Sequence, residues 1–133
     1  MFDCCEGILT IQESEILIDK YKKKFIDRTK YNYIWEGVGI SRVEQFKISY
    51  VELMKFAEGI KKSYVFTHFL KDYPNFQDHN RIRCSNSIAK ILEINDRNPQ
   101  DLYFFDNTFN WTIISSHEFL DLEEKFHYML IRN

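Results

Sequence analysis

Residues 101–118 constrain the fold of this chain more than any other stretch. Two runs rich in aromatic and β-branched residues, Asp101-Leu-Tyr-Phe-Phe-Asp106 and Trp111-Thr-Ile-Ile-Ser-Ser116, flank the connector Asn107-Thr-Phe-Asn110. Branched and flat side chains pack well on a pleated surface, so both runs favour strand. A short polar connector between them reads as a β-hairpin with a longer-than-minimal turn. Side chains alternate along a strand, which puts Leu102, Phe104 and Asp106 on one face and Tyr103 and Phe105 on the other. Trp111, Ile113 and Ser115 alternate in the same way with Thr112, Ile114 and Ser116. Both faces carry bulk, so the hairpin belongs centrally in a sheet rather than at a bare edge, with Leu102, Phe104 and Trp111 buried.

A sheet needs partners, and the rest of the chain supplies them. With 133 residues, 44% of them hydrophobic and 17% aromatic, the chain is the size of one domain with a substantial core, read as a single unit over 1–133. Residues 7–12 read as either a short strand or a lead-in to the next element. From Ser14, taken as the N-cap, the pattern turns helical, with Leu17, Ile18, Tyr21, Phe25 and Ile26 on one side. Lys20, Lys22, Lys23 and Lys24 fall largely opposite and read as a solvated face. Ser49-Tyr-Val-Glu52 has the form of a capping box, in which the hydroxyl serves the Glu52 amide and the carboxylate reaches back. The helix it opens shows Leu53, Phe56, Ala57 and Ile60 on one face. Further strands are expected at 31–36, 43–48, 64–70 and 81–84, a small helix at 86–92 and a loop at 72–80; residues 119–131 read as a closing helix or strand, with strand favoured for the last few. The expectation is an α+β domain: a mostly antiparallel sheet of about four to six strands with two main helices, 14–28 and 49–60, packed against it.

The formal charge of −2 gives no electrostatic footprint for nucleic acid. No apolar run approaches the roughly 18 residues of a spanning helix. Three cysteines, two of them the adjacent Cys4 and Cys5, suggest no disulfide framework, and the start Met1-Phe-Asp-Cys-Cys-Glu6 is unlike a signal peptide. These features predict a reduced, cytoplasmic protein without membrane contact.

No catalytic constellation converges in the sequence. His117 and Glu118 are adjacent, and on a strand they point to opposite faces, so they cannot jointly chelate one ion there. His68, His79 and His127 lack ligand spacing, and nothing around Cys84 marks it as a nucleophile rather than a small buried apolar group. Glycine-rich phosphate loops and nucleophile elbows are absent. A binding protein without cofactor or metal is therefore the expectation, with a small hydrolase or metal-dependent enzyme using His117 and Glu118 as the alternative. Between Glu93 and Glu124 acidic residues greatly outnumber the single basic one, Arg97, a negative potential that either steers a basic partner or simply solubilises an aromatic-rich sheet.

The hairpin also carries a resemblance. Phe105-Asp106-x-x-Phe109-x-Trp111-Thr112-x-x-x-Ser116-His117-Glu118 resembles the C-terminal signature of a family of small bacterial proteins that ends in Phe-x-Trp-Thr and then Thr-His-Glu. Ser116 stands where that family has threonine, and residues 119–133 lack its Gly-Pro-aromatic ending. The same tryptophan-bearing hairpin is similar to those of immunity proteins from bacterial toxin systems, which bind a cognate toxin domain and block it. The resemblance implies a non-enzymatic immunity protein whose partner is a basic toxin domain, with a nuclease as the natural guess. Loops on a rigid sheet are where recognition residues sit. The expected contact residues are Asp72, Tyr73, Phe76 and Asp78 in one loop and Glu118, Asp121, Glu123 and Glu124 in a second segment.

Overall fold

The computed structural model describes residues 5–26, 48–67, 81–95, 101–116 and 128–132. Their elements run β1 (Cys5–Ile8), α1 (Ile11–Phe25), α2 (Tyr50–Ala57), β2 (Ser63–Thr67), β3 (Arg83–Ser85), α3 (Ile88–Asn95), β4 (Leu102–Phe105), β5 (Trp111–Ser115) and β6 (Met129–Arg132). The six strands form one sheet in the order β1-β3-β2-β4-β5-β6, and every neighbouring pair is antiparallel. The α+β architecture expected from the sequence is what the chain adopts, with α3 as a third helix beside the two main ones. Strands at 31–36 and 43–47, the loop at 72–80 and the extent of structure over 119–127 lie outside the described residues. Among the described residues, no helix is long and apolar enough to cross a membrane.

The hairpin sits inside the sheet. Its register pairs Leu102 with Ser115 and Phe105 with Thr112, while β4 also pairs with β2 and β5 with β6. Period-two alternation then sorts the core into two halves. Tyr103, Phe105 and Ile114 join Phe66, Met129 and Ile131 beneath Tyr21 and Phe25 of α1. Leu102, Phe104, Trp111 and Ile113 join Val65 and Leu130 beneath Leu53 of α2 and Ile88, Ile91 and Leu92 of α3. Helices cover both faces, which is why neither face of β4 or β5 is polar. Trp111, Phe104 and Leu102 are buried as expected.

The start of α1 differs from the sequence reading, and the reason is local. Thr10, not Ser14, is the N-cap: its hydroxyl accepts the Glu13 amide at 3.1 Å, and the Glu13 carboxylate accepts the Thr10 amide at 3.2 Å. The backbone bond from Thr10, followed by that from its hydroxyl, holds the Glu13 carboxyl below its usual pKa. Ile11 and Gln12, read as the tail of a strand or lead-in over 7–12, are therefore helical, and the strand occupies Cys5–Ile8. Ser14 is freed for a tertiary role. Buried at the first turn, it accepts the backbone N–H of Ile82 at 2.9 Å, beside the Leu9 N–H to Ile82 carbonyl bond. The Arg81 guanidinium donates twice to the Leu9 carbonyl, at 3.0 and 2.8 Å, and so locks the β1–α1 corner to the approach of β3.

At α2, Ser49 is the N-cap that the sequence indicates, accepting the Glu52 amide at 3.2 Å. The return half differs: the Glu52 carboxylate accepts a hydrogen bond from the Ser49 hydroxyl at 3.1 Å. The small helix read over 86–92 starts at Ile88 because Ser85 and Ser87 form a tight exchange. Ser85 Oγ donates to the Ser87 carbonyl and accepts the Ser87 amide, and Ser87 Oγ then accepts the Lys90 amide as the cap of α3.

One buried polar chain ties α1 to the sheet. Thr112 Oγ1 donates its single proton to the Phe104 carbonyl at 2.8 Å, so the 2.7 Å contact with Tyr21 must be donated by the phenol. Burial pushes the Tyr21 phenol well above its ordinary pKa, the bond to Thr112 opposing that shift in part. Tyr21→Phe should cost about 1–1.5 kcal/mol, the net worth of one such bond, since Thr112 keeps its own donation. Thr112→Val should cost more, because the Tyr21 hydroxyl is then stranded in the core. The double variant should recover part of that loss. Denaturant unfolding of all four proteins measures the coupling, and strictly additive losses would remove the bond from the account.

Candidate functional site

Among the described residues, a cluster of short polar contacts lies at the turn end of the hairpin. Its turn contains no glycine. Phe109 donates its amide to the Asp106 carbonyl at 3.1 Å and adopts φ 54°, a left-handed conformation that a bulky residue rarely takes. Two things hold it there. Its ring lies 5.4 Å from that of Phe105, and the Asp106 side chain braces the turn. Asp106 Oδ1 accepts the Thr108 amide at 3.0 Å and the Thr108 hydroxyl, while Oδ2 accepts the Trp111 indole N–H at 2.9 Å. Thr108 Oγ1 in turn accepts the Asn110 amide at 3.2 Å. The Asp106 and Trp111 of the hairpin signature are thus a clasp across the turn, and the indole ring meets Phe56 of α2 edge-on at 5.7 Å.

The other end of the hairpin is closed by a second polar pair. Ser116 donates to Asp101 Oδ1 at 2.7 Å, and both side chains are buried. Among the signature residues, Asp106, Trp111, Thr112 and Ser116 therefore all spend polar groups on the fold itself.

Beside the clasp opens a half-open cleft of about 380 Å³, lined by Lys62, Ser63 and Tyr64 at the start of β2, Cys84 and Ser85 on β3, and Asp106 and Asn107 at the turn. Register makes it. Ser63 pairs with Ser85 and Tyr64 with both Cys84 and Phe105, so the ends of three adjacent strands meet there. Cys84, weighed from sequence as a buried apolar group, is half-buried and in the cleft wall. The Ser63 hydroxyl is 5% exposed as a residue and has no hydrogen-bond partner.

The contact residues expected from sequence, Asp72, Tyr73, Phe76 and Asp78 with Glu118, Asp121, Glu123 and Glu124, lie outside the described residues, as does His117. Among the described residues, no group of three or more His, Cys, Asp or Glu side chains could hold a metal ion. The cleft was not anticipated, because it joins residues from three separated strands. No family model matches this chain, and neither the curated proteins nor the solved structures yield a match.

The clasp makes a direct prediction. Asp106→Ala strips the indole N–H and two turn donors of their acceptor and should cost about 1.5–3 kcal/mol, the range for bonds to a charged acceptor. Asp106→Asn should retain part of this, since the amide keeps one acceptor oxygen. Urea denaturation monitored by Trp fluorescence reads both, and an unchanged midpoint for Asp106→Ala would overturn the clasp.

Proposed function

We propose that this protein is a cytoplasmic immunity protein that binds a cognate bacterial toxin domain and neutralises it by protein–protein contact. The observation that carries this reading is the use made of the hairpin signature. The signature resembles those of immunity proteins, and its polar groups brace the hairpin: Asp106 on Trp111 and Thr108, Thr112 on Phe104 and Tyr21, Ser116 on Asp101. Side chains engaged in this way serve a rigid scaffold, and a rigid scaffold suits a protein that recognises its partner with the loops it displays. No catalytic chemistry and no cofactor enter the proposal.

The partner is a basic domain, by complementarity with the acidic surplus from Glu93 to Glu124. The proposed contact uses Asp72, Tyr73, Phe76 and Asp78 together with Glu118, Asp121, Glu123 and Glu124, the aromatics as anchors and the acids as steering charges. An immunity gene usually lies directly downstream of its toxin, so the partner to try is the product of the gene immediately upstream. Expressed alone it should arrest growth; co-expressed with this protein it should not, and the two should elute as one complex. An upstream product that is harmless, or rescue without a complex, would sink the proposal.

Charge reversal refines the test. Changing Asp121, Glu123 and Glu124 together to lysine should slow association with the basic domain by about tenfold at low salt and flatten its salt dependence, leaving the fold intact. Stopped-flow mixing at low and high salt measures this. Equal low-salt rates for wild type and variant would take the acidic segment out of the interface.

A further inference from the structure

We draw no further inference here: the strongest candidate, the apolar surface patch that Tyr50 and Val51 leave exposed on the first turn of α2, shares its helix with exposed side chains of both charge signs, Glu52, Lys55 and Glu58, and nothing in the structure shows what covers it.

Discussion

The bond from the Tyr21 phenol to Thr112 is the interaction on which the arrangement of layers depends. An amphipathic helix laid on an apolar sheet is held by non-directional burial, which leaves its position along the strands weakly defined. A buried donor changes that, because its hydrogen bond is directional and stranding it is costly. Tyr21 also packs its ring against Phe25, Phe66, Tyr103 and Phe105, with centroids between 4.9 and 6.1 Å, so ring and hydroxyl must be satisfied together. The same bond guards the register of β5. Sliding that strand by one residue would swap faces, sending Thr112 toward α2 and the Trp111 indole into the space under α1. The phenol would then lose its acceptor and the Asp106 carboxylate its indole donor.

The hairpin turn shows how local strain is carried by tertiary contacts. A left-handed non-glycine residue costs on the order of 1–2 kcal/mol, and asparagine or glycine would relieve it. Phe109 keeps that conformation because its ring closes the core beside Phe105 while Asp106 and Thr108 fix the backbone on either side of it. A turn chosen for backbone ease alone would leave the end of the α1-side core open. The choice also places Asp106 and Asn107 where they form a wall of the cleft, so scaffold and candidate site share one loop.

How much of this was legible in the sequence depends on the range of the interaction. The hairpin, its faces and the buried Trp111 follow from alternation, which is local. The Ser49 cap was readable for the same reason, although Glu52 takes its return bond from the hydroxyl. Thr10-x-x-Glu13 carries the same signature, but Ser14-Glu15 lies nearer the first periodic apolar residues and drew the boundary inward. What fixes Ser14 instead is Ile82, a neighbour only in the folded chain. The cleft was hidden for that reason too: Ser63, Cys84 and Asp106 come together through strand pairing, and no spacing in the chain announces it.

Four buried hydroxyls among the described residues are each explained by a partner. Ser14 takes a backbone amide across to the approach of β3, Ser85 closes a turn on Ser87, Thr112 links Phe104 to Tyr21, and Ser116 holds Asp101. Each is explained by the element it secures, and replacing any one strands a group elsewhere. Ser63 secures nothing. It stands opposite Ser85 in a strand that valine or alanine would suit at least as well, since burying an unmet hydroxyl lowers stability. Ser63 thus stands apart from the other four, a buried hydroxyl whose place in the strand no hydrogen bond explains.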